Sequence, residues 1–71
     1  MKNPRYEMII WWSNEDAAFV VDVPELVGCM AHGSSRAKAI ANAEDAVAFW
    51  LETAKADGRP IPEPKGRLVV A

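Results

Sequence analysis

Residues 34–58 read SSRAKAIANAEDAVAFWLETAKADG, and this stretch carries the clearest structural signal in the chain. Its apolar side chains recur at spacings of three and four residues, at Ile40, Ala43, Val47, Trp50 or Leu51, and Ala54. That period places them in one stripe along an α-helix. Ser34 or Ser35 can cap the N-terminus, and Gly58 followed by Pro60 ends the segment. The stretch therefore predicts one amphipathic helix that stops at Gly58.

The segment before the helix predicts three strands. Residues 6–12 and 18–23 are rich in aromatic and β-branched side chains and flank a polar turn, so they predict a β-hairpin. Pro24 ends the second strand because proline has no N–H to donate to a ladder. Residues 26–32 then predict a short third strand, in which Gly28 indicates a bulge or a close backbone approach.

The segment after the helix predicts extended chain and one more strand. Residues 59–64 contain three prolines, which favour a conformation close to polyproline II. Residues 67–71 contain an apolar run with two β-branched valines and predict a short last strand. The element order β-β-β-α-β is that of an α+β domain, with one helix packed on one face of a small antiparallel sheet. We expect residues 1–71 to form this single domain, without a C-terminal DNA-binding domain.

Composition and charge disfavour several classes of protein. With 71 residues, 51% of them apolar, the chain is long enough for one small globular domain. A single cysteine cannot form an internal disulfide. The net charge of −2 disfavours direct binding to RNA or DNA, which usually needs a basic surplus. No apolar run approaches the ~18 residues of a membrane-spanning helix and no cleavable leader is visible, so we expect a cytoplasmic protein without a membrane partner.

Side-chain alternation assigns the residues of the predicted hairpin to two faces. One face receives Tyr6, Met8, Ile10 and Trp12 from the first strand and Phe19, Val21 and Val23 from the second. The other face receives Glu7, Ile9 and Trp11, together with Val20 and Asp22. One helix can cover only one face, so the second face stays exposed although it is fairly apolar, which is typical of a protein contact.

Self-association is the first expected use of that exposed surface. In a domain this small the gain from apolar burial and the loss of chain entropy nearly cancel, so a contact with a second copy adds needed stability. We expect a dimer or a higher homo-oligomer that buries Ile9, Trp11 and Val20, or the edge formed by Leu68, Val69 and Val70.

The residue types that carry catalysis do not converge in this sequence. Cys29 and His32 are three residues apart, which places them on opposite faces of a strand and out of each other's reach. Glu44 and Asp45 are neighbours on the helix and diverge by about 100°. Asp22 is the one carboxylate in mid-strand, whereas a metal nuclease needs several acidic side chains around its ions. We therefore expect no catalytic residue, no metal site and no cofactor.

Three motifs in this order and spacing together resemble those of one known family. Residues 24–33, PELVGCMAHG, are similar to the segment P-[DE]-L-x-G-C-x-[AT]-x-G of that family. The helix resembles the family's helix, with its core E-A-x-x-N-A, through Ser35, Ala39, Asn42, Ala43, Ala46, Trp50, Leu51 and Glu52. Residues 58–64, GRPIPEP, resemble its closing G-x-x-I-P-x-P. The chain thus resembles the HicB-type antitoxins from Tyr6 to Pro64.

The resemblance implies a fold and a function. The fold is a β-β-β-α-β domain described as a partial ribonuclease-H-like fold, which agrees with the element order read from the residues. The function is that of a non-catalytic antitoxin, which binds a small basic endoribonuclease toxin of the HicA type and covers its active site. The alternative is a stand-alone homo-oligomeric domain with an unknown partner, without a toxin or a role in DNA binding.

A surface that blocks such a toxin needs negative charge, because a toxin that holds RNA has a positive active face. Opposite potentials speed the encounter of two proteins, and buried apolar anchors slow their dissociation. Carboxylates stand beside apolar residues at two places, the turn after Trp12 and the link between the second and third strands. We expect the partner to be bound there by Glu15, Asp16, Asp22 and Glu25.

Overall fold

The computed structural model describes residues 5–64 and shows a sheet of three strands followed by one helix. The strands are β1 (Ile9–Ser13), β2 (Ala18–Asp22) and β3 (Met30–Gly33), and the helix is α1 (Arg36–Asp57). All strand pairs are antiparallel and the order in the sheet is β1-β2-β3. The predicted α+β fold with the order β-β-β-α is confirmed. The strand predicted for residues 67–71 lies outside the described residues.

The hairpin joins β1 and β2 through the turn 14–17. Its register pairs Ile9 with Asp22, Trp11 with Val20 and Ser13 with Ala18. The first strand begins at Ile9 rather than at residue 6. The Ser13 hydroxyl accepts a hydrogen bond from the backbone N–H of Asp16 at 3.2 Å, so a polar side chain closes the turn, as the turn chemistry predicts.

The third strand begins at Met30, so the predicted start at residue 26 is wrong. The chain from Val23 to Cys29 bonds to itself instead: Leu26 N–H donates to Val23 O, and Cys29 N–H donates to Leu26 O, both at 3.0 Å. Gly28 has a φ of +76° with open space around it, so glycine serves a left-handed turn there, and neither the predicted bulge nor a close approach is present.

Both ends of helix α1 follow the capping rules that the sequence indicates. The Ser35 hydroxyl accepts from the backbone N–H of Lys38 at 3.1 Å and is the N-cap. Gly58 adopts the left-handed conformation, and its N–H donates to Lys55 O while Arg59 N–H donates to Ala54 O. This pair of bonds is a Schellman motif, which satisfies carbonyl groups that the end of a helix otherwise leaves free.

The core lies between helix α1 and one face of the sheet. One cluster of buried residues comprises Tyr6, Val23, Leu26, Cys29 and Val47, and a second comprises Val21, Ala39 and Ala43. The buried stripe of the helix is Ala39, Ala43, Val47 and Ala54, so it starts at Ala39 rather than at Ile40, which is only partly buried. Small side chains on the helix let its backbone approach the sheet closely.

Two side chains of the helix also hold neighbouring backbone. The indole N–H of Trp50 donates to Val27 O at 2.9 Å, which attaches the helix to the loop before β3. The Asn42 amide donates to His32 O at 2.8 Å, which attaches it to β3 itself. The helix therefore covers one face of the sheet and is anchored along β3, and it leaves the opposite face uncovered.

Candidate protein-binding surface

The two faces of the hairpin are arranged as side-chain alternation predicts. Met8, Ile10 and Phe19 pack against the buried residues under helix α1. The opposite side also carries Ser13 and Ala18 next to the turn, and its other six residues, here called the open face, are Ile9, Trp11, Val20, Asp22, Met30 and His32. The register arranges these six side chains in two rows across the strands, Ile9–Asp22–Met30 and Trp11–Val20–His32.

The open face presents large apolar side chains to solvent. The exposed fractions are 44% for Ile9, 43% for Trp11 and 52% for Met30. Val20 is only 7% exposed, because it lies on the central strand between Trp11 and His32. A partner that covers this face would therefore contact Ile9, Trp11 and Met30, and Val20 would add little new buried area.

Asp22 is the carboxylate of the open face. It is partly buried on the central strand, with Ile9 and Met30 as its cross-strand neighbours. Within residues 5–64 its carboxylate makes no hydrogen bond or ion pair. The Asp22 charge also affects a buried residue of the core. The pKa of the Cys29 thiol is raised mainly by burial and, to a smaller extent, by the negative charge of Asp22.

Glu25 lies in the loop after β2 and has a structural contact of its own. One of its carboxylate oxygens accepts a hydrogen bond from the backbone N–H of Glu7 at 3.3 Å, across 18 residues of sequence. Nearby, the Tyr6 hydroxyl donates to Pro62 O and so ties the segment after the helix to the segment before β1. Burial first, and then the charges of Glu25 and Glu63, raise the pKa of Tyr6.

Glu15 and Asp16 lie at the other end of the sheet, in the turn of the hairpin. Both are exposed, and the Ser13 hydroxyl donates to the Asp16 carboxylate at 3.3 Å. The turn and Asp22 are separated by the length of β2, on the order of 13 Å at ~3.3 Å per residue. The structure thus joins Asp22 to the predicted oligomer residues Ile9 and Trp11, and it does not gather the four predicted carboxylates at one point.

The excess negative charge of the described chain belongs mostly to the sheet half. Residues 5–33 contain five carboxylates and one arginine, a net charge of −4. Residues 36–59 contain four carboxylates and four basic side chains, so the helix layer is neutral in total. The whole-chain value of −2 hides this separation, since Lys2, Lys65 and Arg67 lie outside the described residues.

Two residues of the open face were missed by the sequence-based assignment. Met30 and His32 join the face through their pairing with Asp22 and Val20. Alternation along the third strand would have found them, once the strand was paired with β2 in this register. Four other large apolar residues of the described chain are exposed outside this face: Trp12 on β1, Val27 at 87% in the loop before β3, Phe49 at 70% on helix α1, and Ile61 after the helix.

Cys29 and His32 are placed in different environments, although Cys29 lies before β3 and not on the strand as predicted. Cys29 is buried in the core at 4% exposure, whereas His32 is exposed on the open face. Burial raises the pKa of the Cys29 thiol, which keeps it in the protonated, weakly nucleophilic form. Among residues 5–64, no three His, Cys, Asp or Glu side chains lie close enough together to hold a metal ion. The described part of the chain also has no helix long and apolar enough to cross a membrane.

Comparison with known proteins identifies the family. Residues 6–68 match the family described as the HicB-like antitoxin of bacterial toxin–antitoxin system. The UPF0150 protein Ta0767 of Thermoplasma acidophilum is 34% identical over 58 residues, which span 82% of this chain and 83% of that protein. No solved structure matches the chain. The chain belongs to the HicB-like antitoxin family, as its three sequence motifs indicate.

Proposed function

We propose that this domain neutralises a small basic RNA-cleaving toxin of the HicA type by covering the toxin's active site, and that it catalyses no reaction itself. The observation that carries the proposal is a sheet half of net charge −4 next to exposed apolar side chains, in a member of an antitoxin family. An active site that holds RNA is positive, so its potential is complementary to this half of the domain.

The predicted contact residues have different roles in this proposal. Glu15 and Asp16, both exposed, act over a distance and speed the encounter with a basic partner. Asp22 stands among apolar neighbours and acts in the contact itself. Glu25 keeps the loop after β2 in place through the Glu7 N–H and adds its charge to the same end of the sheet.

Charge neutralisation tests the proposal. We expect the combined variant Glu15→Gln, Asp16→Asn, Asp22→Asn and Glu25→Gln to bind a HicA-type toxin with an association rate lower by about tenfold or more. The dependence of the rate on salt should also become weaker. Amide side chains keep an acceptor oxygen for the contacts at Ser13 and Glu7, and circular dichroism checks that the variant is folded.

The matched control removes charge from the other layer. Glu44, Asp45 and Glu52 on helix α1 are exposed, and their replacement by Gln, Asn and Gln should leave the association rate within about twofold. Equal rates for the wild type and the four-site variant would contradict the proposed contact. Full RNA cleavage by the toxin in the presence of excess wild-type domain would contradict the proposed function.

A second candidate function is that of a stand-alone domain that associates only with itself. The observation in its favour is the exposure of Ile9 and Trp11, both above 40%, on a sheet face that nothing in the described chain covers. Either function suits the cytoplasm, where the free thiol of Cys29 stays reduced. Sedimentation in the presence and absence of a toxin separates the two candidates.

A further inference from the structure

On the basis of the proposed function, we infer that the toxin binds to the open face itself, with Asp22 as the carboxylate that meets a cation of the toxin's active site. The partner that fits has a lysine, arginine or protonated histidine rising from apolar surroundings. The hairpin turn and the helix lie outside this contact or at its rim.

The first argument is the arrangement of apolar and charged groups. Ile9, Trp11 and Met30 are the exposed apolar part of the open face. Ile9 and Met30 are the cross-strand partners of Asp22, and Trp11 lies in the adjacent row. Interfaces typically have an apolar centre with a charged, solvent-accessible rim. The carboxylates at the two ends of the sheet, Glu15 and Asp16 in the turn and Glu25 in the loop after β2, form such a rim.

The second argument is the state of Asp22. Its carboxylate is partly withdrawn from water and, within residues 5–64, has no hydrogen-bonding or ionic partner. Part of the desolvation that a contact requires has therefore occurred already on folding. A cation brought to this position interacts across a poorly screening, apolar environment, which strengthens the attraction relative to a pair of fully exposed charges.

The third argument favours a basic partner over a second copy of this chain as the occupant of the open face. A second copy laid face to face would bring together two sheet halves of net charge −4, and the two like potentials repel. Phe49, an exposed apolar residue outside the open face, lies on helix α1, in a layer whose charges balance. Charge complementarity with a basic partner therefore favours the sheet half over the helix layer.

Single substitutions on each layer test the inference. The probe is a purified HicA-type toxin, and the readouts are its affinity for the domain and the inhibition of its RNA cleavage. We expect Trp11→Ala and Asp22→Asn each to weaken binding by about tenfold or more, and Asp22→Glu, which keeps the charge, to retain most of the affinity. Phe49→Ala and Glu52→Gln, exposed on helix α1, are the matched controls and should change binding by less than about twofold.

Each other outcome has a definite meaning. If the wild type inhibits the toxin and the open-face variants inhibit it equally well, the contact lies elsewhere, and the inference fails while the proposed function stands. If the open-face variants change only the oligomeric state, the face is a self-association surface and the inference also fails. If the wild type does not inhibit the toxin at all, the proposed function fails with it. Thermal unfolding of each variant identifies any that has lost its fold. If Trp11→Ala is unfolded, the binding of Asp22→Asn, which is nearly isosteric with the wild type, decides whether the open face is the contact.

Discussion

At the scale of single residues, the effect of the Asp22 charge on the Cys29 thiol links the open face to the core. The thiol lies among buried residues under the helix, and the carboxylate lies on the neighbouring central strand. Burial and the Asp22 charge both disfavour the thiolate, so the pKa of Cys29 is raised above its ordinary value of 9.0. An ionisation that is suppressed only in the folded state makes stability depend on pH.

The expected pH dependence has a definite sign. The unfolded thiol ionises near 9.0 and the folded thiol at higher pH, so the stabilisation is complete below the unfolded pKa and is lost as the pH rises through the folded one. We expect the free energy of unfolding to fall as the pH rises from about 8 through and beyond the ordinary thiol pKa of 9.0. The Cys29→Ala variant should be less stable overall, because it leaves a cavity, and should show a shallower fall.

Urea unfolding under reducing conditions, at several pH values, measures this effect. Tyr6, whose pKa is raised from 10.0, contributes in the same direction at higher pH and remains in the variant. The difference between wild type and variant therefore isolates the thiol. Parallel curves for the two proteins across the range would show that Cys29 is not the source.

At the scale of elements, the end of β3 and the start of helix α1 lie so close together that position 33 requires glycine. A Cβ atom on Gly33 would lie 2.5 Å from Ala39 N and 2.8 Å from Lys38 C, both backbone atoms of the first helical turns. Backbone atoms cannot move aside as the end of a flexible side chain can. Only glycine lets the strand pass the helix at this distance.

We therefore expect Gly33→Ala to lower the free energy of unfolding by about 1–3 kcal/mol, the usual cost of forcing extra atoms into a packed contact. The adjacent Ser34→Ala is the control, because Ser34 is exposed and the observed N-cap is Ser35. Chemical denaturation of both variants gives the comparison. An unchanged midpoint for Gly33→Ala would mean that the helix is not held at this distance from β3.

At the scale of the whole molecule, the separation of charge between the two layers predicts how salt affects association. A complex between the sheet half, of net charge −4, and a basic toxin is attractive over several ångströms, and added salt screens this attraction. Self-association through the open face should depend on salt in the opposite way, because salt screens the repulsion between two like-charged halves. The same titration with salt therefore moves the two equilibria in opposite directions.

Sedimentation equilibrium at micromolar concentration measures this difference. Without toxin we expect a species heavier than 7.8 kDa, whose share grows as salt is added. With toxin we expect a mixed complex whose share shrinks as salt is added. A sharp 7.8 kDa species at every salt concentration would contradict self-association. A mixed complex insensitive to salt would contradict the electrostatic part of the toxin contact.

The ends of helix α1 and the two faces of the hairpin were predictable from the sequence, because the signals for them are local. Capping by Ser35 and termination at Gly58 depend on residues within one helical turn. The faces of β1 and β2 depend on alternation, which repeats every two residues and survives small errors in the strand ends. The three family motifs also imply the fold, but they do so by similarity to known sequences and not by a physical argument from the residues.

Only the tertiary structure decided where β3 begins and which carboxylates share a surface. Residues 26–29 look like strand, yet the turns closed by Val23, Leu26 and Cys29 keep them out of the sheet. Glu25 bonds to the backbone of Glu7, 18 residues away, and Asp22 gains Met30 as a neighbour through the register of two strands. Local propensity describes a residue and its nearest neighbours in the chain, whereas strand pairing and loop closure bring together residues whose separation in sequence carries no such signal.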